Sequence, residues 1–168
     1  MEIKQLRNHL LSRAKEIGAC PDGITELSQA STKEDIAKCF IEFVDFCLVH
    51  NYPDNEFLKF HLRQELEDIG IYIDKTITIN NERRIIFLGE CYGTVIADTY
   101  SVSMIRVKHN SRINIRACGY ARIMVDALDN ADIIIDISED AVVIVNLYGN
   151  ATCQGATKVI RKGTTYEI

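Results

Sequence analysis

Proline and long apolar runs are scarce in this chain of 168 residues, which has two prolines and none after Pro53. No run of 18 apolar residues occurs, so the sequence contains no segment typical of a membrane-spanning helix. Residues 1–5 lack the charged-then-apolar plan of a signal peptide. We therefore expect a cytoplasmic or virion-associated protein that is not secreted through a signal peptide and does not enter a membrane.

Paired cysteines are missing as well. None of the six cysteines forms a CxxC pair, and no cysteine and histidine cluster has the spacing of a zinc site. Without a secretion signal, reduced thiols that pack as small hydrophobic side chains are expected. The cysteines are Cys20, Cys39, Cys47, Cys91, Cys118 and Cys153.

The usual catalytic and cofactor motifs are also absent. The chain has no GxGxxG or GxxxxGK[ST] phosphate loop, no GxSxG elbow and no nine-residue calcium repeat. We therefore predict no cofactor and no metal. Cys47 and His50 lie at i and i+3 on a predicted helix, a spacing that allows a thiol nucleophile and its base. A small Cys/His hydrolase thus remains an alternative to a protein that is not an enzyme.

The composition that is present is that of a globular protein, with 47% hydrophobic and 26% charged residues. The net charge of −5 disfavours non-specific binding to nucleic acid, which is not an expected partner.

Residues 1–70 predict a helical head of three short helices. Apolar residues recur at steps of three and four from Glu2 to Ile17, and Pro21-Asp22-Gly23 is expected to end this helix. A second helix is expected from a Ser31/Glu34 capping box to about His50. A third is expected from Asp54 or Asn55 to Gly70. The head is expected to cap the part of the chain that follows.

Residues 71–168 change to an apolar period of two, which is typical of strands. Small residues stand ten apart, each followed by alternating apolar residues and then by three corner residues rich in Gly, Asn and Asp. An internal repeat of this kind indicates a repeat architecture. The small residues are Ser111, Ala121, Ala131, Ala141 and Ala151.

Two folds suit this repeat: a parallel β-solenoid of about 20 residues per coil, with two ten-residue units each, and an antiparallel meander. In the solenoid residue i stacks on i+20, which pairs opposite charges and aligns Met104, Met124 and Ile144. The meander sets Arg116 against Arg122, and like charges directly opposite are destabilising. The solenoid is therefore favoured. Its expected charge pairs are Arg106 with Asp126, Arg112 with Asp132, and Arg116 with Asp136.

The repeats resemble those of bacterial and phage-associated β-helical proteins. The matching text is Asp129-Asn130-Ala131-Asp132-Ile133-Ile134-Ile135 and Gly149-Asn150-Ala151-Thr152-Cys153. The resemblance covers about Gly93 to Gly155 and implies a right-handed parallel β-helix of bacterial, phage or mobile-element origin. A helical head followed by a β-solenoid also looks like proteins of gut Bacteroidetes. The resemblance implies no activity.

Charge and apolar residues on the predicted outward positions indicate a contact surface. Residues 81–125 hold seven Lys and Arg against three acids, whereas residues 126–168 hold three against seven. The candidate surface combines a basic band in the first segment with an apolar stripe in the second. The stripe is expected to lie on one sheet. The band is Arg106, Lys108, Arg112, Arg116 and Arg122, and the stripe is Ile134, Val142 and Ile144.

We therefore predict a non-enzymatic structural or interaction protein that forms a homo-oligomer or binds a protein partner through the solenoid. A small carbohydrate- or nucleotide-binding module is the alternative. The open last coil is expected to matter for assembly, because exposed strand edges invite pairing. Residues 157–163 carry charges that either blunt this edge or seal it as a final strand.

Overall fold

The computed structural model describes residues 2–163 and Tyr166. The chain divides into two compact units at Ile69 and Gly70, one residue from the predicted boundary. The first unit is helical and the second is built of strands, so the protein is mainly β with a helical N-terminal part.

The helical unit contains five helices in the described residues, where the sequence predicted three. The missed helix begins at Pro21, in the segment that was expected to end the first helix. Proline suits the first helical position because the N–H that it lacks would have no partner there. The Cys20 thiol accepts a hydrogen bond from the Gly23 N–H at 3.4 Å and caps this helix. The helices are α1 (Ile3–Glu16), α2 (Pro21–Gln29), α3 (Lys33–Glu42), α4 (Val44–His50) and α5 (Asn55–Glu67).

The second predicted helix is divided at Phe43 into α3 and α4. Its capping box uses Thr32 and Asp35, one residue after the predicted pair. The Asp35 carboxylate accepts hydrogen bonds from Ser31 and Thr32, and these lower its pKa to about 2. The last helix, α5, is capped by Asp54, whose side chain accepts from the Phe57 N–H at 2.8 Å, as predicted.

The second unit contains two sheets in which every neighbouring pair of strands is parallel. Odd-numbered strands form a six-stranded sheet in the order β1-β3-β5-β7-β9-β11, and even-numbered strands form a five-stranded sheet. The antiparallel meander is therefore excluded and the solenoid is confirmed. The strands are β1 (Ile71–Ile73), β2 (Thr76–Asn80), β3 (Arg84–Leu88), β4 (Tyr92–Ala97), β5 (Val102–Val107), β6 (Arg112–Ala117), β7 (Arg122–Ala127), β8 (Asp132–Ile137), β9 (Val142–Tyr148), β10 (Thr152–Gln154) and β11 (Lys158–Gly163).

The register confirms the stacking of residue i on residue i+20. Each of the three predicted pairs of opposite charge occupies adjacent strands at the same level. Met124 likewise lies between Met104 and Ile144. The pairing of opposite charges at outward positions therefore distinguished the solenoid from the meander correctly. The pairs are Arg106 with Asp126, Arg112 with Asp132, and Arg116 with Asp136.

The coils turn through corners that place a left-handed residue at every tenth position. Glycine adopts this conformation without strain, and Asp and Asn tolerate it better than most residues. Asparagine side chains next to these left-handed residues form a column of hydrogen bonds. The Asn130 side-chain amide donates to the Asn110 side chain at 3.1 Å, and the Asn150 amide donates to the Asn130 side chain at 3.2 Å. The left-handed residues are Gly89, Thr99, His109, Gly119, Asp129, Glu139 and Gly149.

The core lies between the sheets and is filled by the alternating apolar residues of the repeat. Ile105, Val125 and Val145 stack in register in one sheet and are fully buried. The small residues of the repeat lie between each corner and the strand that follows it. Ser111, in this position, donates through its hydroxyl to the Gly89 carbonyl at 3.1 Å.

The C-terminal segment forms a final strand, since β11 pairs with β9. This confirms one of the two expected roles of residues 157–163. Arg161 on this strand donates through its guanidinium to the carbonyls of Gly149 and Ala151, at 3.0 and 3.1 Å. In earlier coils the equivalent carbonyls accept from the next coil, as Asp129 does from the Asn150 N–H. Arg161 therefore supplies these two carbonyls with the hydrogen-bond donors that the next coil supplies to the equivalent carbonyls elsewhere.

His109 occupies one of the left-handed corners, and we expect it to make the stability of the solenoid depend on pH. Its Nδ1 accepts a hydrogen bond from the Gly89 N–H at 3.0 Å, which requires the neutral ring. Burial lowers the pKa of His109 from 6.5, and Lys108 acts in the same direction, whereas Asp129 and Asp74 oppose them. Because the folded pKa lies below the unfolded one, this stability is present above pH 6.5 and is lost as the pH falls through the folded value.

We expect His109→Asn to weaken this pH dependence, since asparagine tolerates positive φ and does not titrate. Urea unfolding of both proteins at about pH 7.5 and about pH 5.5 measures the effect. The wild type is expected to lose more unfolding free energy than the variant on acidification. Equal losses in the two proteins would show that His109 does not contribute.

Candidate interaction surface

The outer face of the six-stranded sheet carries an apolar surface, which we call the methionine patch: Val102, Met104, Met124, Val142 and Ile144. Val102 and Met124 are 62% and 44% exposed, and the other three are half-buried. Met104, Met124 and Ile144 occupy successive strands in register, about 4.8 Å apart. The column of Met104, Met124 and Ile144 therefore spans three strands without a gap, whereas the exposed Arg122 stands between Val102 and Val142 in register.

Cations stand at both ends of the methionine column. Met104 pairs in register with Arg84 on β3, and Ile144 pairs with Lys158 on β11. Both cationic residues are exposed. The patch is thus an apolar centre with positive charge at each end.

The predicted apolar stripe is divided between the two sheets. Val142 and Ile144 lie on β9 of the six-stranded sheet, whereas Ile134 lies on β8 of the five-stranded sheet. The prediction that these residues share one sheet is wrong. Ten residues are half a coil, so residues that are ten apart face opposite sides of the solenoid.

The predicted basic band is divided for the same reason. Arg106 and Arg122 lie on the six-stranded sheet, and Arg112 and Arg116 lie on β6 of the five-stranded sheet. Lys108 follows β5 at a corner and is 5% exposed. The five cations therefore do not form one surface.

Two cations of the band are held by contacts within the solenoid. Lys108 places its Nζ 3.3 Å from an Asp129 carboxylate oxygen. Arg122 donates through Nη1 to the Asp140 carbonyl at 2.7 Å and lies 3.1 Å from the carbonyls of Tyr120 and Ala121. These contacts join neighbouring coils, so both side chains stabilise corners.

The five-stranded sheet carries a shallow polar groove of about 660 Å³ on its outer face. Tyr92, Arg112 and Asp132 occupy successive strands in register along it. Thr94 and Asn114 form the adjacent column. The groove presents an exposed aromatic ring beside planar polar side chains.

Sequence reasoning missed three members of the methionine patch: Val102, Met104 and Met124. The twenty-residue stacking placed the two methionines in line with Ile144, and this was the signal that could have found the patch. A further exposed feature is the ring stack of Tyr100 and Tyr120, whose centroids are 5.1 Å apart.

Cys47, the predicted nucleophile, is buried, whereas His50, the predicted base, is exposed at the end of α4. Burial raises the pKa of the Cys47 thiol to about 12, so the thiol is protonated at neutral pH. The His50 ring packs against Phe46 with centroids 4.4 Å apart. These contacts are those of a packed cysteine beside an aromatic pair.

The cysteines are free thiols that differ in burial. Cys47 and Cys91 are buried and three others are partly buried, whereas Cys20 is exposed and caps α2. Cys20 therefore departs from the predicted buried set.

Among residues 2–163 and Tyr166, no group of three or more His, Cys, Asp or Glu side chains is arranged to hold a metal ion. Over the same part of the chain, no helix is both long and apolar enough to cross a membrane. Comparison with protein-family models, curated proteins and solved structures finds no match to this chain. The resemblance to phage-associated β-helical proteins stays a prediction.

Proposed function

We propose that this is a non-enzymatic structural protein that self-associates through the methionine patch. The observation that carries the proposal is the unbroken column of Met104, Met124 and Ile144 over three strands, which Val102 and Val142 extend on either side of Arg122. Monomeric proteins rarely expose large contiguous apolar patches without a binding role. Methionine is suited to such a surface because its flexible side chain adapts to a partner.

We infer from the charge distribution which surface of a second copy contacts the methionine patch. Packing one patch on another, in either direction, brings the cations Arg84 and Lys158 close to cations of the second copy. Residues 1–69, which form the helical unit, instead carry thirteen acids against eight Lys and Arg. Phe60 on α5 in this acidic unit is 82% exposed. We therefore infer a head-to-tail contact in which Phe60 of one copy packs on the methionine patch of another.

Ile144→Asp tests the contact, with Ile134→Asp as a matched control. Both replace an outward isoleucine of a central strand, but Ile134 faces the opposite side of the solenoid. A charge at an interface centre costs about 2 kcal/mol or more, so Ile144→Asp is expected to raise the dissociation constant about 30-fold. Size-exclusion chromatography with light scattering measures the mass over a concentration series. A wild type that stays monomeric, or equal effects of both variants, would overturn the proposal.

The head-to-tail arrangement has its own test. Phe60→Asp and Ile144→Asp are each expected to be monomeric alone at a concentration at which the wild type just assembles. Mixed together, they are expected to form heterodimers, because one variant retains an intact patch and the other an intact Phe60. If both variants disrupt assembly but the mixture stays monomeric, the contact does not join Phe60 to the patch.

The polar groove on the five-stranded sheet supports a second candidate function, the binding of a small carbohydrate. Tyr92 offers a ring face and a hydroxyl, and Arg112, Asn114 and Asp132 offer donors and acceptors at fixed spacing. The Asp132 carboxylate beside Arg112 disfavours a phosphate, so the groove suits a neutral sugar better than a nucleotide.

We expect Tyr92→Ala to abolish binding of neutral oligosaccharides by the groove. Tyr120→Ala is the control because Tyr120 is similarly exposed on a corner outside the groove. Isothermal titration against glucose, galactose and mannose oligomers measures the affinity. Absence of binding to the wild type, or equal loss in both variants, would exclude this candidate.

A further inference from the structure

The helical unit contains an apolar cavity of about 370 Å³ that is partly open to solvent. Side chains from all five helices line it, and none of the sheet residues takes part. Small-molecule sites have volumes of several hundred Å³. The cavity therefore has the size of a binding site. Its apolar wall includes Leu10, Ala14, Leu27, Ile36, Phe40 and Leu62.

The polar groups of the cavity wall are few and carry one sign of charge. Glu42 and Asp45 line it on either side of the junction between α3 and α4, and no Lys, Arg or His of the described residues does so. The Tyr52 hydroxyl is occupied, since it donates to the Leu10 carbonyl at 2.6 Å. A carboxylate or phosphate ligand would therefore meet charge of its own sign among the lining residues.

The wall cysteines do not supply further charge. Burial is the main cause that raises the pKa of Cys39 to about 11. Cys39 and Cys47 are therefore thiols at neutral pH and behave as part of the apolar wall.

We propose that this cavity binds a small amphiphilic amine, with its apolar body between the helices and its ammonium group beside Glu42. The apolar body removes its own surface and that of the wall from water, which is the main driving force. The ammonium is paired with the Glu42 carboxylate at the cavity wall, which favours a cation over a neutral or anionic head. This site is separate from the methionine patch and does not depend on self-association.

Three probes with one apolar body and different heads test the proposal: 2-(1-naphthyl)ethylamine, 2-(1-naphthyl)ethanol and 1-naphthaleneacetate. Isothermal titration with the full chain is expected to show one amine bound per chain. The acetate lacks the charge-assisted contact of the amine, so it is expected to bind at least about tenfold more weakly. Equal affinity for the amine and the acetate, or no binding of any probe, would overturn the proposal.

Glu42→Gln tests the role of charge. The variant is expected to weaken the amine about tenfold and to leave the alcohol unchanged. Glu34→Gln is the control, because Glu34 is an exposed acid on the same helix that does not line the cavity. An equal effect of both variants would mean that the carboxylate acts through general charge and not at this site.

Gly23→Leu tests the location. A Cβ at Gly23 would lie 3.5 Å from the Cys20 sulfur and 3.5 Å from the Phe43 ring, which is ordinary contact. Both neighbours line the cavity, so the leucine side chain is expected to fill it and to abolish binding of all three probes. Leucine also favours a helix over glycine, so the unfolding temperature is expected to stay equal or rise. Binding that persists in a folded Gly23→Leu protein would place the amine elsewhere.

Discussion

Val125→Asp is expected to abolish the solenoid. Val125 lies on β7, has no exposed surface, and stacks between Ile105 and Val145 in the centre of the core. A carboxylate at this position has apolar neighbours on the adjacent strands and no partner for its charge. Burial of an unpaired charge costs about 4–5 kcal/mol, which approaches the whole stability of many domains. Urea unfolding followed by circular dichroism, with limited proteolysis of residues 70–163, measures the loss.

The adjacent residue is the matched control for this change. Met124 lies on the same strand, but its side chain points to the outer face and is 44% exposed. Met124→Asp is expected to change the unfolding free energy by less than about 1 kcal/mol, because an exposed carboxylate keeps its water. The same variant is expected to lose self-association, since Met124 is the middle residue of the patch. A Val125→Asp protein as stable as Met124→Asp would contradict the assigned inward and outward faces.

The solenoid could be predicted from sequence because its period is visible in three independent features. The small residues stand ten apart, the apolar residues alternate, and Gly or Asp, which tolerate left-handed backbone, occupy four of the seven corner positions. Period-two burial alone fits both a meander and a solenoid. The outward charges resolved this choice, since Arg112 over Asp132 and Arg116 over Asp136 match only in a parallel coil of 20 residues.

The candidate surface was harder to predict because it depends on which sheet a residue joins. Ile134 and Ile144 look equivalent in sequence, yet they face opposite sides of the solenoid. Lys108 looks like an exposed cation, but its corner position buries it against Asp129. The period of ten residues predicts where the strands lie. Membership of one sheet, and so of one surface, repeats every twenty residues, so outward residues must be grouped by the twenty-residue period.

The helical unit shows what local signals leave open. Pro21-Asp22-Gly23 is compatible with a helix end and with a helix start, because proline is tolerated at the first helical position. The capping box likewise uses Thr32 and Asp35, one residue later than the predicted Ser31 and Glu34. The cavity had no sequence signal, since apolar residues at helical spacing predict burial but not how completely the facing helices fill the space.

Gly155→Ala is expected to destabilise the protein more than the same change at the corner residues Gly119 and Gly149. Gly155 follows β10 with φ of +86°, and a Cβ there would overlap the carbonyl oxygen of Ile135 on β8. Alanine must therefore adopt a strained conformation and also displace the neighbouring strand. Strain of about 1–2 kcal/mol and displacement of about 1–3 kcal/mol combine to about 3 kcal/mol. Urea unfolding measures the change, and hydrogen exchange at residues 152–160 locates it.

Gly18→Ala separates the two contributions. Gly18 has φ of +84°, nearly the same as Gly155, but nothing lies within 4 Å of the added Cβ. This variant is expected to lose about 1–2 kcal/mol, the cost of left-handed backbone alone. The difference between the two variants then measures how closely β10 approaches β8. Equal losses would mean that the chain around Gly155 moves aside freely, and that the close contact between the last two coils of the five-stranded sheet does not stabilise the C-terminal end.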